Sequence, residues 1–251
     1  MKKLVLPLVI SGLLISGFAT ADSIGSNVKK AMNAEIRTDK EKLRDKNRKP
    51  VKTLEFFGIK DDMKVLELIP GGGWYTKLLA PALAEKGQYY AALGTTRITN
   101  NLLNKEGFSK AKILNKNGSM RYNSELGGYQ LTDINFGVKD IDAVLTFRNY
   151  HNLEQGSRIS LNEKVFATLK PGGIYGVIDH TRRHMQKDND ENGRRVDPVL
   201  AIKEILQAGF EFVDYSNLHY RADDELRYEV GRKTVTGNTD RFTLLFKKPM
   251  K

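Results

Sequence analysis

The sequence predicts an α/β protein whose core is a mostly parallel, doubly wound sheet. Three observations lead there. Short apolar runs alternate with segments of helical spacing, a triple glycine stands just after the first run, and polar or aromatic groups recur where later runs end. Strands buried on both faces of a parallel sheet read as near-continuous apolar runs, and open α/β sheets hold ligands at the carboxyl ends of their strands.

Taken in order, the chain begins with Met1-Lys2-Lys3, an apolar stretch from Leu4 to Phe18, and the small residues Ala19-Thr20-Ala21. That order reads as a secretory signal peptide cleaved after Ala21, with export to the periplasm as the expectation. The apolar stretch falls short of the roughly 20 residues of a membrane helix, so no lasting span is expected, an uncleaved anchor being the alternative. Residues 22–58 then read as a helical lead-in and 59–251 as one domain. The absence of cysteine removes disulfide and thiolate chemistry. With 41 basic and 30 acidic residues the net charge is +11, or +9 without Lys2 and Lys3. The excess steers anionic partners toward the surface. The lysines are scattered and no RNA-binding aromatic signature is present, so no specific nucleic-acid partner is expected.

Ser26 to Lys46 carries Val28, Met32, Ile36 and Leu43 among many charges, which predicts an amphipathic helix. Pro50 starts the next helix, Val51 to Phe57, and Gly58 closes it. Val65, Leu66, Leu68 and Ile69 form the first strand. Gly71, Gly72 and Gly73 let the backbone turn sharply, and Trp74 to Glu85 follows with Leu78, Leu79, Ala82 and Leu83 at helical spacing. A helix N-terminus behind a glycine turn suits a nucleotide-type ligand, and a tight turn without a ligand is the plainer alternative. Glu67 lies inside the apolar strand, where a carboxylate needs donors or a function.

Gln88 to Leu93 is the second strand and ends in the neutral Leu93-Gly94-Thr95. A helix is expected near Leu102 to Phe108 and a short strand near Tyr129 to Asp133. Ile141 to Thr146 is a core strand that runs into Phe147-Arg148-Asn149-Tyr150-His151-Asn152. After a helix from Arg158 to Leu169 and the turn Pro171-Gly172-Gly173, Ile174 to Ile178 is a strand with Asp179-His180 at its end. A carboxylate beside an imidazole there suits a general base. His180 and His184 stand four apart, but further ligands are lacking around them and no metal site is expected. Arg182, Arg183, Arg194 and Arg195 form a basic loop, fit either for an acidic substrate group or for solvent. A helix from Pro198 to Ala208 and strands from Phe210 to Tyr215 and Phe242 to Phe246 complete the chain.

Six clusters together carry a resemblance: Arg48-Lys49-Pro50; Phe56-Phe57-Gly58; Glu67 with Pro70 to Tyr75; Arg148 to His151; Pro171-Gly172-Gly173 with Asp179-His180; and Thr239 to Phe242. They resemble the signal-bearing bacterial members of the class I S-adenosylmethionine-dependent methyltransferase superfamily, over nearly the whole mature length. The resemblance implies a Rossmann-like, doubly wound, seven-stranded sheet with an antiparallel last strand, S-adenosylmethionine as cofactor, and a small-molecule acceptor. It implies cofactor contacts at Glu67, Gly71, Gly72, Gly73 and Asn149, with Thr95 or Glu67 standing in for the missing ribose acid and Asp133 either at the adenine or simply in a turn. It assigns the acceptor side to Tyr150, His151, Asp179 and His180, with Asp179 orienting His180 as the base. Two positions depart from the pattern. Ile69 and Pro70 replace the motif's first glycine and its neighbour, and Leu93-Gly94-Thr95 lacks the acid that usually meets the cofactor ribose. A non-catalytic binding protein that keeps the fold is the alternative function, and oligomeric state stays open.

Overall fold

The computed structural model describes residues 24–114 and 118–251. The signal-peptide expectation for Met1 to Ala21 lies outside the described residues. The main sheet contains β1 (Lys64–Leu68), β2 (Gln88–Ala92), β3 (Lys112–Leu114), β6 (Ile141–Phe147), β7 (Leu169–His180), β8 (Glu211–Tyr215) and β9 (Arg241–Lys247). Their order is β3-β2-β1-β6-β7-β9-β8. The first five are mutually parallel, and β9 lies antiparallel to both β7 and β8. The sheet is therefore the expected Rossmann-like one, with the late antiparallel strand inserted between its neighbours. The short strand expected near Tyr129 is β5 (Gly128–Thr132). It pairs with β4 (Ser119–Asn123) in a separate hairpin and touches Leu153 through a single bridge from Tyr129.

The helices are α1 (Ile24–Met32), α2 (Asp39–Lys42), α3 (Asp45–Arg48), α4 (Pro50–Phe56), α5 (Thr76–Leu83), α6 (Thr96–Asn101), α7 (Gln155–Thr168) and α8 (Pro198–Gln207). Two expectations need correction. The single helix read from Ser26 to Lys46 is three pieces, because Thr38 and Glu41 form a capping box that starts a new helix after Met32. Arg37 holds the bend, donating to the Met32 carbonyl at 2.8 Å and to both oxygens of Asp45. The helix read near Leu102 begins earlier, at Thr96, and ends by Asn101.

Alternation along β1 sorts the core into two layers. Leu66 and Leu68 face one layer with Val144, Tyr175, Val177, Leu161 and Ile205, under α7 and α8. Val65 faces the other with Val28, Leu54, Leu78, Ala143 and Leu145, under α1, α4 and α5. That second layer is tight at Gly176, where an added Cβ would stand 2.8 Å from Leu145 and 3.0 Å from Phe57. Both faces of the parallel strands are thus covered, and the polar groups at their carboxyl ends form one rim.

Candidate active site

Three adjacent parallel strands end alike. Ile69 after β1, Leu93 after β2 and Arg148 after β6 have φ of 51°, 64° and 61°. The left-handed region costs an L-residue roughly 1–2 kcal/mol, so backbone strain is concentrated on this rim. Ile69 takes the conformation that suits the glycine of the motif. Its N–H donates to the Ala92 carbonyl at 2.9 Å and its own carbonyl accepts from Asn149 Nδ2 at 2.8 Å. The departure from the pattern therefore adds strain, and the sharp turn is kept.

Beyond Ile69 the glycines divide. Gly71 and Gly73 have φ of 58° and 80°, and a Cβ on Gly73 would lie 2.7 Å from Leu102 and 2.8 Å from Ile98. Gly72 faces open space. The open side is a cavity of about 240 Å³ whose walls include Glu67, Gly71, Gly72, Tyr75, Arg148 and Asn149. Tyr75 stacks on Phe147 with centroids 3.6 Å apart. The lead-in covers the cavity: Trp74 Nε1 donates to the Glu41 carbonyl at 3.1 Å, Lys77 pairs with Glu41 at 2.9 Å, and the Arg48 guanidinium lies 4.3 Å above the Trp74 ring.

Glu67 is buried, and its Oε2 accepts from Thr76 at 2.8 Å and Tyr89 at 2.6 Å. Burial nevertheless pushes its carboxyl up to about 7, against the lowering effect of those two hydroxyls. Oε1 has no hydrogen-bond partner among the described residues.

A second cavity of about 510 Å³ shares Arg44, Arg48 and Arg148 with the first, and its walls add His180, Thr239 and Arg241. A third, of about 690 Å³, meets the second at Arg194 and is lined by His151, Tyr122, Tyr129 and Arg195. The three lie in series along the rim.

The expected pairing of Asp179 with His180 is not what the structure contains. Consecutive residues of β7 point to opposite faces, so the Asp179 carboxylate reaches only the backbone N–H of His180, at 2.6 Å. Its imidazole partner is His151, with Nδ1 to Oδ1 at 2.5 Å and the His151 N–H to Oδ2 at 2.8 Å. His180 accepts at Nε2 from Arg148 Nε at 3.1 Å, so its proton lies on Nδ1, 2.8 Å from Thr239 Oγ1. Burial, then the Arg148 charge, hold His180 well below the ordinary imidazole range. Both its nitrogens are engaged and it stays neutral. His151 Nε2, by contrast, has no partner among the described residues.

Of the other residues singled out from the sequence, Asn149 lines the glycine cavity. Tyr150 does not reach it. The 3₁₀ turn Tyr150–Asn152 sends its ring into the opposite core layer, where its hydroxyl donates to Glu204 and accepts from Asn162, both at 2.9 Å. Asp133, at φ 54°, lines a separate hollow beside Phe136 and Lys164, away from the glycine turn. Thr95 stands at the end of β2 as the N-terminal residue flanking α6, outside the glycine cavity's walls. Arg48, Arg148 and Arg241 stand in the clusters quoted above but have no role assigned from the sequence, and Arg44 was passed over. They are scattered along the chain, and only the fold gathers them.

No protein-family profile and no curated protein sequence matches the chain. Solved structures do. An S-adenosylmethionine-dependent methyltransferase from Aquifex aeolicus is 18% identical, with 89% of this chain and 97% of that chain covered and a TM-score of 0.56. The (4+2)-cyclase SpnF is 17% identical, with 82% and 81% covered and a TM-score of 0.55. The glycopeptide N-methyltransferase MtfA, solved with S-adenosylhomocysteine, is 13% identical, with 80% and 87% covered and a TM-score of 0.50. At these identities the likeness shows a fold, that of the class I S-adenosylmethionine-dependent methyltransferases. The cyclase among them illustrates that this fold alone does not fix a reaction.

Proposed function

We propose that the protein is an exported S-adenosylmethionine-dependent methyltransferase acting on a small acidic acceptor. The observation that carries the reading is the glycine-turn cavity, where the open face of Gly72, the free Oε1 of Glu67 and the Asn149 amide converge at the end of β1. These residues fit the amino-acid end of the cofactor. Glu67 would take its ammonium group, Arg48 its carboxylate, and Gly72 would let it approach the backbone. When bound, the cofactor supplies a methyl group on a sulfonium centre. On the acceptor side, His151 receives the departing proton at Nε2, and Asp179 holds the ring and stabilises the imidazolium.

Binding of S-adenosylhomocysteine tests the reading. A ligand at about 100 times its dissociation constant stabilises a fold by about 2.7 kcal/mol. Each kcal/mol is worth roughly 2–4 °C in a chain of this size. A shift of several degrees is expected, and Gly72→Val should remove it while leaving the fold intact. No heat and no shift at millimolar ligand would sink the enzyme. The non-catalytic binding protein would then stand, a reading favoured by the neutral end of β2, where Met120 already closes on Gly94. Export rests on the Met1 to Ala21 pattern, and an intact mass that begins at Asp22 in protein from its native cell is the expected result.

A further inference from the structure

We propose that the middle cavity anchors a doubly charged oxyanion on the acceptor, either a phosphate monoester or a pair of carboxylates, through Arg148 and Arg241. The proposal names the acceptor class for the reading above and rests on it for the word acceptor. As an anion site it stands on its own geometry.

The chain provides its own control. Its other enclosed arginines are each matched to a carboxylate: Arg37 to Asp45, Arg158 to Glu204 at 2.8 Å, and Arg195 to Asp224 at 2.9 Å. Arg48 and Arg241 are buried to 8% and 6% exposure and Arg148 lies partly buried between two cavities, yet none of the three forms an ion pair among the described residues. Among the described residues, no acid lines the middle cavity. Burying a guanidinium without a counter-charge is costly, and several around one space repel one another. That repulsion is visible in Arg48, which burial and then the Arg148 charge hold below the ordinary arginine range.

The free donors face inward and are held in place. Arg148 uses only Nε, on His180, and Arg241 uses Nε and Nη2, on the Thr239 and Asn47 carbonyls at 3.4 and 3.0 Å. This leaves both terminal nitrogens of Arg148 and Nη1 of Arg241, none of which is sealed from solvent without a partner. His180 is thus a positioning residue, and it sits opposite Arg241 in the β7–β9 register. A planar guanidinium fork matches phosphate and carboxylate oxygens two at a time; Arg148 keeps such a fork, Arg241 adds a single donor, and their two uncompensated charges call for two negative ones. At about 510 Å³ the cavity exceeds what a lone oxyanion fills, so an organic body is accommodated with it.

Titration calorimetry of the purified full chain with phenyl phosphate, phthalate and benzoate is the test. One of the two dianions should bind at least tenfold tighter than the monoanion benzoate. Phenyl phosphate ahead of phthalate assigns a phosphate ester, and the reverse order assigns paired carboxylates. Arg241→Gln should weaken that dianion at least tenfold and leave S-adenosylhomocysteine affinity unchanged, since Arg241 lines only the middle cavity. If Arg241→Gln does not fold, Arg44→Gln serves, because Arg44 is exposed and should weaken the dianion severalfold. Equal binding of benzoate, no binding of any of the three, or an unaltered dianion affinity in a folded variant overturns the proposal. A chain that binds the dianion but not S-adenosylhomocysteine would remove the methyltransferase reading and leave the anion site. The opposite result would remove only the anion site.

Discussion

His151 and His180 lie 5.6 Å apart, ring to ring, and are wired in opposite ways. His151 gives its Nδ1 proton to a carboxylate and keeps a free lone pair on Nε2. His180 accepts a hydrogen bond from a guanidinium at Nε2 and donates one from Nδ1 to a threonine hydroxyl. The first arrangement leaves a nitrogen open to a substrate proton, and the second, with burial and the Arg148 charge, keeps the ring neutral. Two imidazoles on one rim thus divide the work, one suited to proton transfer and the other to fixing a cation. What separates them is the two-residue period of β7, which gives Asp179 to one face and His180 to the other.

The largest test of this contrast is Asp179→Ala. The fully buried carboxylate accepts from two backbone N–H groups and from the His151 ring. Leaving those three donors without an acceptor costs about 1–3 kcal/mol each, about 3–5 kcal/mol together. Chemical denaturation should show a loss in that range, and a loss under about 1 kcal/mol would mean the dyad does not organise the rim. Next in size is His151→Gln. It should lower kcat by about 100-fold or more with S-adenosylhomocysteine affinity unchanged, as expected when a general base is removed. His180→Gln should instead raise the KM for an anionic acceptor and leave the pH profile of kcat in place. If the two variants exchange these signatures, the assignment of the base reverses.

The same two residues show what the sequence could and could not carry. The central strands were legible because burial on both faces leaves continuous apolar runs, as at Val65 to Leu68 and Ile141 to Thr146, whereas the helices near Ser26 to Lys46 and Leu102 were placed wrongly. The glycine turn was legible from Gly71 to Gly73, and the rim from the groups that follow β6 and β7. The Asp179–His180 pairing was misread, although its refutation was also in the sequence, since neighbours on a strand cannot share a face. Tyr150 was misplaced because a 3₁₀ turn after Asn149 reverses which side it addresses, and no periodicity announces that turn. The arginine cluster was invisible for another reason. Arg44 and Arg48 come from the lead-in, Arg148 from β6's end and Arg241 from the start of β9, and only tertiary structure brings them together.

The smallest expected effect concerns the second acid on the rim, and it separates a carboxyl held by hydroxyls from one held by backbone N–H groups and an imidazole. Glu67 has a folded-state value of about 7 against an ordinary value near 4.5, with burial as the leading cause. A raised carboxyl binds its proton more tightly in the folded state, so its contribution favours folding below the unfolded value and is lost as pH rises through about 7. At pH 7 the group is therefore about half protonated. A ligand that brings an ammonium group to Oε1 favours the ionised form, so binding of S-adenosylhomocysteine at pH 7 should release about half a proton. Calorimetry in two buffers of different ionisation enthalpy reads that number directly, and Glu67→Gln should bring it to zero. Release near zero in the unaltered chain, with binding intact, would place the ligand's ammonium group elsewhere and leave Glu67 as a structural acceptor for Thr76 and Tyr89.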